Sequence, residues 1–181
     1  MAAQGDQPRL HAAFLRRAAA LRALGAQHLV ENLLPGAKPL ALSRLEGKLG
    51  APLPRVLRTW WLLHDGEKKP AEGFAAPFHL LPVAWVLNER VTVLRRWERF
   101  LKAPEAGPPS GLTEAERTSP RWIPVAARPG VSVVLHGTTG RVFECGDEAP
   151  FVRLVAPSLV AWFEAVVDQP LEEADEPPAS T

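Results

Sequence analysis

Between Arg9 and Leu34 the apolar residues Leu10, Phe14, Leu21, Leu24, Leu29 and Leu33 fall near one face of a 3.6-residue repeat, which predicts a helix. Gly25 lowers helix propensity by about 1 kcal/mol relative to Ala and marks a kink or break, and Pro35-Gly36 ends the segment. A short helix follows from Leu40 to Leu49, with Leu42, Leu45 and Leu49 at i, i+3 and i+7 and Gly50 placed as a left-handed cap. The next runs from Pro54 to His64. It is apolar around most of its circumference (Val56, Leu57, Trp60, Trp61, Leu63), which predicts deep burial, and Asp65-Gly66 stops it. Phe78 to Leu81 reads as a strand leading into a long helix from Pro82, whose stripe is Val83, Leu87, Val91, Leu94, Trp97 and Leu101.

The periodicity then changes. Ala103 to Gly111, rich in Pro and Gly, is a loop, and Thr113 with Glu116 has the spacing of a capping box. Arg121–Ala126, Val131–His136, Arg141–Cys145 and Phe151–Val155 are short β-rich runs, the second and third joined by Gly137-Thr138-Thr139-Gly140. They predict an antiparallel meander. Ser158 caps a closing helix carrying Leu159, Trp162, Phe163, Val166 and Val167. The fold class is therefore α+β, a small antiparallel sheet packed by N-terminal, central and C-terminal helices. Its parts are a helical extension (1–32), a folded domain (33–168) and an acidic, Pro-rich tail (169–181) expected to be disordered.

Composition narrows the picture. The 181 residues are 46% hydrophobic and 23% charged, as in a folded globular domain. The single cysteine excludes an internal disulfide framework and suits a reducing compartment. Met1 to Arg9 is short and polar and does not lead into an apolar h-region, and no apolar run is long enough for a bilayer, so the expected location is cytoplasmic, without membrane contact. Sixteen Arg against five Lys, one Ile and no Tyr is the bias of GC-rich coding DNA and predicts a bacterial source. Net charge is +1, giving no general attraction to nucleic acid, but its distribution is uneven. Residues 1–59 hold nine Lys/Arg against three Asp/Glu, and residues 120–181 hold four against nine. Either the two ends of one domain attract each other, or an acidic C-terminal face docks onto a basic partner.

Reactive constellations are missing. The five histidines do not pair with Cys or carboxylates at metal-ligand spacing, and there is no glycine-rich phosphate cradle or nucleophile elbow. The expectation is no catalytic, metal or cofactor-binding residue and no small-molecule substrate. Cys145 reads as a small buried hydrophobe. His64-Asp65, the most enzyme-like pair, is adjacent in sequence, so its side chains diverge on a helix and read better as a turn pair. Glu67 with Lys68 and Lys69 reads as a solvated loop. The six tryptophans fit core packing better than a platform for single-stranded nucleic acid.

Three stretches together resemble the SUKH superfamily in its SMI/KNR-like branch. They are Leu33-Leu34-Pro35-Gly36 through Glu46, Leu49-Gly50, Leu53-Pro54 and Trp61 to Glu67; Phe78 to Trp97; and Pro120 to Ala126, with Gly140-Arg141-Val142 and Ala156-Pro157-Ser158 through Phe163. Many relatives carry Gly-Asp and Leu-Asp around the second strand of the meander, where this chain has Gly130-Val131-Ser132 and Leu135-His136. The resemblance implies an α+β fold and a non-enzymatic protein-binding domain. Bacterial members are commonly immunity proteins that neutralise toxins by direct binding; fungal members are scaffolds in cell-wall assembly. The leading expectation is an immunity protein with a polymorphic toxin as partner, and the alternative is a regulatory or scaffold module. The residues expected to meet the partner are Asp65, Glu67, Glu144, Asp147 and Glu148.

Overall fold

The computed structural model describes residues 6–69, 73–102, 111–119, 121–147 and 151–169. Their elements run α1 (Asp6–Ala23), α2 (Gln27–Glu31), β1 (Leu33–Pro35), α3 (Pro39–Leu49), α4 (Arg55–Leu63), β2 (His64–Glu67), β3 (His79–Leu80), α5 (Val83–Lys102), α6 (Glu114–Thr118), β4 (Trp122–Arg128), β5 (Val131–His136), β6 (Val142–Gly146), β7 (Phe151–Ala156) and α7 (Leu159–Val167). The predicted α+β class holds. Strands β3 to β7 form one antiparallel sheet in chain order, and β1 pairs with β2 in a separate two-stranded ribbon.

The sheet is buried on both faces, so β5 is covered along its whole length rather than alternating in and out of solvent. Val133 and Leu135 join the core shared with α1, α4 and α7, while Val134 joins a second cluster with Val93, Trp97 and Phe100 of α5. On β4 a bulge sets Val125 and Ala126 together on the first side. It thereby brings Ala127 opposite Ser132 on the α5 side.

Local signals explain the ends of the helices. Thr113 and Glu116 form the capping box, Ser158 Oγ accepts from the Ala161 amide at 3.2 Å, and Gly50 closes α3 with φ 68°. Of the kink or break expected at Gly25, the structure has the break. The helix stops at Ala23, a second short helix restarts at Gln27, and Leu33 to Pro35 is strand.

The Asp65-Gly66 stop is more than a turn, because His64 to Glu67 pairs antiparallel with β1. Gly66 sits at φ 73°, and a Cβ there would lie 2.5 Å from the Leu81 carbonyl carbon. Only glycine lets the ribbon approach β3 this closely. Two burial expectations shift. On α4, Leu57, Trp60 and Trp61 are buried but Leu62 is exposed. On α5 the buried line runs Val86, Val93, Trp97 and Phe100, leaving Val91 and Leu101 in solvent. The helix carries two apolar lines, and the packing of Trp97, stacked on Phe100 and tilted against Trp122, selects one.

Candidate functional site

The five expected contact residues do not converge on one surface. The Asp65 carboxylate accepts the Val83 amide at 2.7 Å and so caps the start of α5, and burial pushes its carboxyl above the usual range against that hydrogen bond. Glu67 is 1% exposed, not part of a solvated loop. Its two oxygens accept the backbone amides of Phe74 and, at 2.6 Å, Leu80, fastening the ribbon to the segment that enters β3. Burial raises its carboxyl to about 7 against those two donors. Glu144 is buried under Arg153, whose guanidinium reaches it at 2.6 Å. Asp147 lies at the end of β6 and accepts from Arg96 at 2.6 Å and Arg99 at 2.5 Å, which hold its carboxyl below the ordinary range. Glu148 falls outside the described residues.

These placements bear on the charge asymmetry. Of the nine acidic residues in 120–181, five (Glu148, Glu172, Glu173, Asp175 and Glu176) lie outside the described residues, leaving four against four Arg. All four are ion-paired, two of them with α1: Arg9 with Glu164 and Arg16 with Asp168. The attraction between the ends of the chain is thus visible as contacts between α1 and α7.

The reactive-looking side chains are spent on structure. His64 turns toward α1, its ring 4.7 Å from that of Phe14, while Asp65 turns toward α5. Cys145 is buried, which pushes its thiol up to about 12. His136 packs edge-on against Trp122, and burial lowers its pKa. Among the described residues no three His, Cys, Asp or Glu side chains group as a metal site. Among the described residues no helix is long and apolar enough to cross a membrane.

What the fold does assemble is a groove of about 730 Å³ beside α5. One wall is the helix face Trp85, Asn88, Glu89, Thr92 and Arg96; the floor is His79 and Ala127; the other wall is the β4–β5 turn, Arg128-Pro129-Gly130. Pro129 fixes its own φ, and Gly130 takes φ 74°, the pair that a tight turn of the type II pattern requires. The Asp147 amide donates to the Gly130 carbonyl at 3.0 Å and pins that turn. Within the groove wall Arg96 is buried and donates to Ser132 Oγ, which itself donates to Glu89, while Asp147 takes the other guanidinium nitrogen. Five of the six tryptophans are buried, as expected; Trp85 alone stands 40% exposed, in this groove.

Sequence reasoning missed Trp85, Arg96 and Arg128. The signal available was a tryptophan on the polar side of a helix, with Asn88, Glu89, Thr92 and Arg96 following at i+3, i+4, i+7 and i+11. The burial of Arg96 and the approach of the β4–β5 turn depend on long-range pairing and left no such trace.

Comparison with known proteins gives one family. The model described as the SMI1 / KNR4 family (SUKH-1) matches residues 36–165, well over half of the chain. No curated protein matches. The matched span begins after α1 and contains the whole groove.

Proposed function

The chain belongs to the SMI1 / KNR4 family (SUKH-1), and from that premise we propose that it acts by binding another protein without catalysis, as an immunity protein that occludes a bacterial toxin. The observation that carries this reading is the α5 groove. It presents the kind of residues that concentrate binding energy at protein interfaces, an exposed tryptophan and the half-buried Arg128, on a rigid wall of helix and tight turn. A wall already held by its own hydrogen bonds loses little entropy on docking, so more of the contact energy appears as affinity. Supporting it, Cys145, Glu67 and the His64-Asp65 pair are each committed to packing or to backbone amides rather than aimed at a common point. Of the expected acidic contacts, Asp147 is the one tied to this wall through Arg96, and we place it at the margin of the interface.

The test is co-expression with the toxin encoded beside the gene. Growth rescue together with an equimolar complex is the expected outcome. Absence of both rescue and complex would remove the immunity reading for that pair. A gene neighbourhood with no toxin or secretion gene would instead favour a regulatory module.

A further inference from the structure

Arg128 is the cation of the groove that the fold leaves unanswered. Its guanidinium is held 5.4 Å over the Phe78 ring, its Nε is buried with no hydrogen-bond partner, and among the described residues no carboxylate pairs with it. Arg96, in the opposite wall, is neutralised by Glu89 at 3.6 Å and Asp147 at 2.6 Å. The groove therefore offers one unpaired positive charge, one exposed indole and one carboxylate, Glu89, that repels a second anion. A carboxylate arriving from the groove can take the two terminal guanidinium nitrogens of Arg128 in the fork geometry such pairs prefer. The volume suits a few side chains rather than a folded lobe.

We propose that the groove docks an acidic-apolar segment of the partner protein, with one Asp or Glu carboxylate on the Arg128 guanidinium and a neighbouring large apolar side chain on Trp85. This rests on the protein-binding reading and specifies its contact chemistry. It also reverses the polarity expected from the sequence: at this surface the chain contributes the cation and the partner the carboxylate. A nucleic-acid strand fits less well, since phosphates on either side of one seated on Arg128 would meet no second unpaired cation and one of the lining groups is the Glu89 carboxylate.

The experiment screens short random-sequence peptides, displayed on beads, for binding to the full chain, and measures the selected peptides by fluorescence polarisation. Selected sequences are expected to carry Asp or Glu beside Leu, Phe, Met or Trp. Arg128→Ala should weaken them about 30-fold or more, and Trp85→Ala about tenfold. Arg128→Lys should recover only part of the loss, because the ammonium lacks the fork. Arg55→Ala, exposed on α4, should change nothing, and the unfolding midpoints of all variants should match the wild type, showing that the fold is intact. Basic or charge-free selected peptides, or undiminished binding by Arg128→Ala, would overturn the proposal. So would displacement of the peptides by single-stranded oligothymidylate in an Arg128-dependent way. If the toxin is still bound and neutralised by both groove variants, this inference falls and the immunity reading stands. If acidic-apolar peptides bind but no toxin does, the reverse holds.

Discussion

On the side of the sheet facing α1, α4 and α7, Phe14 lies ring to ring with Trp60, Phe74 and Phe163 at 4.6 to 5.5 Å between centroids. On the α5 side a smaller cluster of Trp97, Phe100, Trp122 and Phe143 shares its space with Ser132, Glu89, Arg96 and Asp147. The first side gains its stability from apolar area, which is non-directional and tolerant of exchange. The second gives up apolar area for groups whose burial costs free energy unless every partner is in place. A fold that needed only stability would have no reason to carry that network; here it rigidifies the wall of the only groove in which a tryptophan is exposed among the described residues. The helical side keeps the domain folded and the α5 side holds a surface in one shape.

The contrast can be broken most severely at Phe14. Phe14→Ala should lower stability by about 3–5 kcal/mol, measured by chemical denaturation, because four ring contacts would face a cavity. It lies on α1, before the matched family span, so a large loss would show that α1 is part of the core rather than an appendage.

Next comes the pH dependence of Glu67. Its folded carboxyl stands near 7 against an ordinary value of 4.5, so the folded state holds the proton more tightly than the unfolded one. That stability is complete below about pH 4.5 and is lost as pH rises through about 7, a fall on the order of 3 kcal/mol. Unfolding free energies of wild type and Glu67→Gln compared from pH 4 to 8 should show the slope in the wild type alone; parallel curves would contradict it.

Arg96→Met sharpens the other side. Removing the guanidinium leaves Glu89 without its cation and Asp147 with Arg99 alone, but both carboxylates remain partly solvated, so the loss should be about 2 kcal/mol. Adding Asp147→Asn should cost less than the sum of the single changes, since both break one network. Thr113→Ala should cost about 1 kcal/mol through the capping box, far from either face's centre. Smallest is Arg9→Ala: its pair with Glu164 is exposed, so its effect on the unfolding midpoint should be barely resolvable at low salt and vanish in high salt.

How much of this the sequence carried follows from which signals are local. The four meander strands, the capping box at Thr113, the Ser158 cap and the Gly50 cap depend on residues within a few positions of each other, and each stands as read. The β1–β2 ribbon was not legible, because two runs of three and four residues gain strand geometry only from each other. The five acidic residues named as contacts are locally polar, and nothing nearby tells that Glu67 turns inward to two amides or that Glu144 lies under Arg153. Glu116 makes the same point. Its cap was plain, yet its burial beneath Arg141, at 2.8 Å, and Thr139, at 2.7 Å, comes from the β5–β6 hairpin folding over α6. Its carboxyl is pushed up by that burial and brought below the usual range by the Thr113 amide, Thr139 and Arg141 together.

The most direct test of a stoichiometric, groove-mediated mechanism is titration calorimetry of the full chain against the toxin encoded beside its gene, run in parallel with toxin activity. The predicted result is saturation at one chain per toxin, with inhibition tracking occupancy and binding weakened at least tenfold by Trp85→Ala. Inhibition that is complete at a small fraction of equimolar chain would show turnover and contradict the account.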